Sequence, residues 1–516
     1  MKHLFCLLAL LIVACEAVDE PLDDDDDATE PPVLEVEDLP SAIAQAFADE
    51  ADGAGAALAV LFQGRLCAGA VGSKDPDGGE AVAPTTLFRI GSTTKMMTSA
   101  ALLAAVDRGD LDLSDAVVDH LPGLDLAGAA PFADVTLHHL LTHTSGISEI
   151  TPIDGGEDDD RLQDFTFGGF ASTSYMMAPA GAFWNYSNPN FSLAGAALEA
   201  TDGRLYRDIV HEDVWAPLGM DRSYFLGSDV AADGDFAQAD TYDWTGQTAD
   251  IQRVGATSYD DAWSRPAGFA WSSALDLALW GDFLAQGNPD VLSEASHAAL
   301  IARHAPMAAY RDLAAYGYGV MRWTGTQAGD GWYPVDTAQH NGAIPGYAAE
   351  IVTVPDVDLV VATLGAADGA YFSDTLEAVF DELLAIDPIP LPDNGIADDD
   401  LSRYVGTYQD PYNVGTVEVT LGSDGRLDWS MPRLDQLGIP YGANLTQTSV
   451  GNFVVSLQGA NTGISLLAED GTEQGPTRWL RHRAFVADRG EARGADGAFD
   501  EARLRAMLAS LSGPSL

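Results

Sequence analysis

Hydrophobic positions along this chain fall into three regimes. In the first, apolar residues come in dense runs. Ser41 to Asp49 predicts a helix entered at Pro40. Ala57 to Phe62 and Leu66 to Val71 are apolar runs split by Gln63-Gly64-Arg65, the pattern of a β-hairpin. Ser92 to Arg108 is apolar on nearly every face and stops at Gly109, so it predicts a helix inside a large domain. From Pro122 to Gln339 the pattern breaks up among many Gly, Pro and Asp, and predicts loops and short helices. Ala348 to Leu364 then predicts two strands folded at Pro355-Asp356, and Thr375 to Ile386 an amphipathic helix.

The run DPIPLPDNGIADDD (residues 387–400) predicts a linker. Beyond it the pattern switches to short alternating strands. TVEVTL and RLDWSM flank GSDG, and NFVVSL, ISLLAE and RWLRHRAFVA follow. They predict a small antiparallel barrel or sheet, closed by a helix near Phe499 to Leu511. At the other end, a short basic start precedes ten apolar residues, Leu4 to Val13, too few to span a bilayer and suited to an export signal. Leu11-Ile12-Val13-Ala14-Cys15 resembles a bacterial lipobox, which implies cleavage before Cys15 and lipidation of that thiol. An ordinary secretory signal is the alternative. The following stretch, with Asp23 to Asp27 in one run, reads as a solvated tether. The expected organisation is signal 1–14, tether 15–38, catalytic domain 39–386, linker 387–400 and β domain with terminal helix 401–516.

Charge narrows the partners. Against 25 basic residues stand 79 acidic ones, a formal charge of −54 over 516 residues. Such a field repels phosphate backbones and anionic lipid, so neither nucleic acid nor a bare membrane surface is an expected partner. It reads as an adaptation of solubility, of the kind that suits high salt. The only expected membrane link is the lipid anchor, which places the protein at the bacterial cell envelope. Cysteine use agrees with a framework free of disulfides: Cys6 leaves with the signal, Cys15 carries lipid and Cys67 is left alone.

Only three of the basic residues are lysines, and one of these, Lys95, stands three positions after Ser92. Positions three apart share a helix face. A serine hydroxyl needs a base within hydrogen-bond reach to become a nucleophile. Lysine is that base only when neutral, and burial or nearby positive charge lowers its pKa; arginine cannot lose its proton. Downstream, Tyr186-Ser187-Asn188 places a phenol and an amide on one side of a short extended segment. QHNGAIPGY adds His340 as donor or proton carrier and Gly342 for close backbone approach. The amides of Ser92 and Ala343 can together form an oxyanion hole.

The ordered set S-x-x-K, Y-x-N, H-x-G resembles the serine β-lactamase-like superfamily, in particular the group of class C β-lactamases, D,D-carboxypeptidases, D-aminopeptidases and related esterases. LFRIGSTTK, DRGDLDLSD, VTLHHLLTHTSGI, PLGM, GFAWSSALDLALWGDFL and YGYG look like further family segments, spanning roughly residues 40 to 386. The resemblance implies an α/β (α+β) fold with a mainly antiparallel sheet flanked by helices and a helical subdomain. It implies Ser92 as nucleophile, Lys95 and Tyr186 sharing the proton traffic, and Asn188 holding the substrate's amide or ester side chain. His340 and Gly342 would line the far wall, and no metal or organic cofactor is implied. His-Asn-Gly stands where the β-lactamases of the family carry Lys-Thr-Gly, which favours esterase or peptidase chemistry over β-lactam hydrolysis. From Leu401 the chain resembles the lipocalin-like β domain of many relatives.

Other signals are weaker. His139 and His143 have the i, i+4 spacing of a zinc helix without the glutamate between them; the family resemblance implies instead that His143 pins a loop near the site. Asp110-x-Asp112-x-Ser114 fails as a calcium loop at its twelfth position, Leu121. Glu157 to Asp160 reads as a solvated loop, and Trp184 as either pocket wall or core. The expected function is an exported serine hydrolase acting on an ester, a D-amino amide or a peptide. Two rivals are a catalytically inactive surface protein that binds cell-wall peptides, and an acidic stalk that binds cations.

Overall fold

The computed structural model describes residues 36–128, 131–242, 250–393, 395–490 and 499–510. The export signal, Cys15 and the tether up to residue 35 lie outside them. Nine strands form one sheet: β1 (Val36–Asp38), β2 (Ala56–Phe62), β3 (Arg65–Val71), β4 (Ala305–Pro306), β5 (Ala314–Tyr316), β6 (Met321–Ala328), β7 (Gly331–Ile344), β8 (Tyr347–Val354) and β9 (Leu359–Gly365). Their order is β1-β3-β2-β9-β8-β7-β6-β5-β4. Every neighbouring pair is antiparallel except β1 with β3.

The central strands β2, β8 and β9 are buried almost throughout, and each reads as an apolar run. The helices α1 (Ser41–Ala51) and, later in the chain, Ser373–Val379 share one core with them, built on Ile43, Phe47, Leu58, Val60, Val352, Val361, Leu376 and Val379. Four further helices follow along the chain: α2 (Thr94–Arg108), α3 (Leu137–Leu141), α4 (Asn188–Asp202) and α5 (Arg265–Gly268). These pack on one another as the helical part, and α6 (Ala274–Gln286) lies on β2, β8 and β9. Its approach to the sheet depends on Gly281, where a Cβ would stand 2.1 Å from Val360 Cγ1. Helix α2 is buried continuously from Thr94 to Ala105, and Gly109 closes it in a left-handed cap.

Two expectations are corrected. The stretch expected to be mostly loops and short helices contains the hairpin β6–β7, in which no continuous apolar run marks either strand. Pairing with an existing sheet edge overrides the weak local preference. RWLRHRAFVA is two strands rather than one, joined by a tight turn at Arg483-Ala484.

Eight strands close the C-terminal barrel: β10 (Gly406–Asp410), β11 (Gly415–Leu421), β12 (Leu427–Ser430), β13 (Asn444–Ser449), β14 (Asn452–Leu457), β15 (Ala460–Ala468), β16 (Thr477–His482) and β17 (Phe485–Asp488). Side chains fill its interior, among them Tyr408, Val417, Trp429, Phe453, Leu466 and Leu480, with Leu504 and Leu508 from the helix Glu501–Ser510. A second apolar cluster fastens it to the rest of the chain, joining Tyr175, Met177 and Phe183 to Tyr412, Leu467, Trp479 and Val486. Tyr175 stacks on Tyr412 at 4.1 Å and accepts a hydrogen bond from Asn413 Nδ2 at 2.7 Å. The Pro-rich run before the barrel is itself tied down, for Ile389 donates its N–H to Trp332 O at 2.8 Å.

Arginines gather the surplus acid into networks. Arg204 meets Asp202, Glu212 and Asp213; Arg265 meets Asp159 and Asp260. The expected solvated loop Glu157 to Asp160 thus anchors α5 through Asp159. No helix among the described residues is long and apolar enough to cross a membrane.

With a formal charge of −54, like-charge repulsion outweighs these pairs at low ionic strength. Raising NaCl from about 0.05 M to about 2 M should raise the melting temperature by about 5 °C or more. A calorimetric scan showing a flat or falling Tm over that range would contradict the repulsion argument.

Candidate active site

Ser92 sits on a single 3₁₀ turn, Gly91–Thr93, that leads into α2. Two hydroxyls bind the turn back on itself: Thr93 Oγ1 donates to Ile90 O at 2.8 Å and Thr94 Oγ1 to Gly91 O at 2.7 Å. Strand β7 runs close beside it. A Cβ on Gly342 would lie 2.0 Å from Ile90 O and 2.9 Å from Ser92 N, and one on Gly91 would lie 2.6 Å from Ala343 N. Only glycine at both places lets the turn and the strand edge meet this closely, with Ala343 N beside Gly91 and Ser92 N beside Gly342.

Lys95 lies one turn further on and is wholly buried. Its Nζ stands 3.0 Å from Ser92 Oγ and 2.8 Å from Asn188 Oδ1, and it also bonds the Ala267 carbonyl supplied by α5. Burial holds its pKa well below the usual lysine range; Glu149 opposes that shift and Arg483 adds to it. A neutral amine would give its two N–H bonds to Ala267 O and Asn188 Oδ1 and turn its lone pair to the Ser92 hydroxyl.

Tyr186 Oη donates to Ser92 Oγ at 2.8 Å. Burial raises the phenol's pKa, against the Arg483 guanidinium 4.8 Å from its ring, so it rests protonated. The aromatic ring is backed by His143, whose centroid is 4.3 Å away. His143 Nδ1 accepts from Ser187 N at 3.3 Å and Asn190 Nδ2 at 3.0 Å, which fixes the segment that carries Tyr186. His139 instead serves the capping box of α3, so the two histidines of the zinc-like spacing face different partners. No group of three or more His, Cys, Asp or Glu that could hold a metal occurs among the described residues.

The other expected residues sit nearby with their polar atoms engaged. Asn188 is the first residue of α4, and its Nδ2 donates to Glu149 Oε1 at 3.1 Å and Thr151 Oγ1 at 2.8 Å. Its amide therefore orients Lys95 in this structure. His340 Nδ1 meets its neighbour's carbonyl, Asn341 O, and Nε2 accepts from Tyr316 Oη at 2.9 Å. It is 1 % exposed and braces β7 against β5.

Sequence reading missed three contributors: Glu149, Arg481 and Arg483. The β16–β17 turn of the barrel reaches the site. Asn185 Nδ2 donates to Arg483 O at 3.2 Å, and Arg481 lies 5.2 Å over the Trp184 ring. Trp184 is half-buried between that guanidinium, Tyr186 and Tyr316. Ser92 retains 4 % exposure under this cover.

Comparisons agree with this architecture. The profile of the family described as Beta-lactamase matches residues 41–385. Penicillin-binding protein 4 of Amycolatopsis lactamdurans is 27% identical over 338 residues, 64% of this chain and 86% of that protein. The unguisins hydrolase ungD' of Aspergillus campestris is 28% identical over 301 residues, 55% of this chain. That match spans about half of the relative's own length, 53%. The crystal structure of SurE superposes with a TM-score of 0.63 and 25% identity, covering 87% of this chain and 98% of that one.

Burial lowers the pKa of His340 to about 3, against about 6.5 for an exposed imidazole. The unfolded chain takes up a proton at this residue below pH ~6.5 while the folded one refuses it. Its contribution to stability is thus complete above that pH and drains away as pH falls towards 3. The Tm difference between wild type and His340→Gln should shrink or reverse between about pH 6.5 and about pH 4. A difference that is constant over this window would contradict a neutral buried His340.

Proposed function

The chain belongs to the β-lactamase family of serine hydrolases, and from that premise we propose that it transfers an acyl group to water through an acyl-Ser92 intermediate. The observation that carries the reading is the placing of Ser92 Oγ between an amine and a phenol, at 3.0 Å and 2.8 Å. Burial disfavours the charged form of both partners. Neutral Lys95 accepts the proton of Ser92 as Oγ attacks the carbonyl carbon. The amides of Ser92 and Ala343 meet the oxyanion that forms. As the intermediate collapses, Tyr186 gives its proton to the departing atom and regains one from the Lys95 ammonium. Water then enters by the same route in reverse and frees Ser92.

The substrate class is an ester, a D-amino amide or a peptide. His340 supports that choice over a β-lactam, because an imidazole bonded on both sides and held neutral offers no positive charge to a carboxylate. The relatives named above include a hydrolase and a penicillin-binding protein, which supports acyl chemistry of this kind. Export with a lipid anchor at Cys15 belongs to the same proposal and rests on the leader sequence. The rival reading, an inactive peptide-binding surface protein, leaves Lys95 without a reason to be kept lysine.

An activated fluorophosphonate should add one adduct at Ser92, read by intact mass and peptide mapping, and Ser92→Ala should gain none. Lys95→Arg should label at least about 100-fold more slowly, since a guanidinium cannot take the proton. Full labelling of Lys95→Arg would remove the general base from this account. Absence of labelling in folded wild-type protein would favour the peptide-binding reading.

A further inference from the structure

Glu149 lies in the loop after α3 and receives an unusual concentration of donors. Its Oε2 accepts from Asn188 N at 2.9 Å and from Arg483 Nη2 at 3.4 Å. Its Oε1 accepts from Asn188 Nδ2 at 3.1 Å and from the Thr151 hydroxyl. Asn188 in turn holds Lys95. One carboxylate therefore stands a single side chain away from the amine that must be neutral. Left alone, it would favour the ammonium.

The opposing charge comes from the other end of the sequence. Arg483 occupies the two-residue turn between β16 and β17, and its backbone is tied to Asn185 beside the site. From there the guanidinium reaches both Glu149 and the face of Tyr186. We propose that Arg483 of the barrel is a positioning residue for the reaction: by pairing with Glu149 it cancels the carboxylate beside the Asn188–Lys95 array and keeps the base of Ser92 unprotonated. This makes the barrel part of the catalytic apparatus, and it rests on the acyl-Ser92 reading.

The remaining groups around Lys95 do not supply that cancellation. Tyr186 is a protonated phenol, and His143 and His340 are imidazoles held neutral by burial. Ala267 and Asn188 contribute uncharged oxygens. Glu149 and Arg483 are thus the two formal charges bearing on the amine. Removing one unbalances the other, whereas removing both leaves an uncharged surround.

The test follows the rate of Ser92 labelling by an activated fluorophosphonate against pH, on the full chain, with thermal melts to confirm folding. In Arg483→Met the midpoint of the rate profile should move up by about one pH unit, so labelling below the midpoint slows about tenfold. Arg483→Lys should restore most of the loss. In Arg483→Met with Glu149→Gln the midpoint should return to within about half a unit of wild type. An unchanged midpoint in folded Arg483→Met overturns the proposal, as does a double variant whose midpoint stays with the single one. Failure of wild-type protein to label at any pH sinks the acyl-Ser92 reading itself, a distinct result.

Discussion

The site depends on keeping one amine dry. An ordinary lysine carries its proton at neutral pH and cannot relieve a serine of its own. Burial pulls Lys95 away from that state: α2 is buried from Thr94 to Ala105, and Lys95 keeps no exposed surface. Dehydration by itself would be a liability, since a buried polar atom without partners is costly. The chain meets that demand with two oxygen acceptors on separate elements, Ala267 O from α5 and Asn188 Oδ1 from the start of α4. On a neutral amine the lone pair would then point to the hydroxyl of Ser92.

Much of the rest supports those few atoms. Arg265 is gripped by Asp159 and Asp260, which fixes the short helix bearing Ala267. His143 holds the backbone of Ser187 and packs on Tyr186. Gly91 and Gly342 let the Ser92 turn and the β7 edge approach closely. The barrel interior is occupied by side chains, and the barrel meets the site with its surface, where Arg481 and Arg483 face Trp184 and Tyr186.

What was legible in the sequence was what repeats locally. The spacing of Ser92 and Lys95 is a helix property, and it came through as a 3.0 Å contact. The apolar runs of β2, β8 and β9 announce strands covered on both faces. The mainly antiparallel sheet follows what the family resemblance implied, and the small β domain after it follows the alternating pattern read from the chain. The hairpin β6–β7 escaped because neither strand is a continuous apolar run, although Gly329-Asp330 between its strands is a two-residue turn signal. Glu149 and Arg483 were invisible for a different reason. They lie 334 positions apart, and only the docking of the barrel joins them. Reading RWLRHRAFVA as one strand also hid the turn that presents Arg483.

The scarcity of lysine makes the central claim open to direct measurement. The chain has three lysines, Lys2, Lys74 and Lys95, so protein grown with ¹³Cε-lysine gives a nearly bare spectrum. Lys74 is held charged by Asp235 and Glu80, and serves as an internal reference for an ammonium. The Lys95 resonance should show the shift of a neutral amine at pH 7 and convert to that of an ammonium only on acidification. A Lys95 signal that stays with Lys74, charged up to pH ~10, would contradict the account.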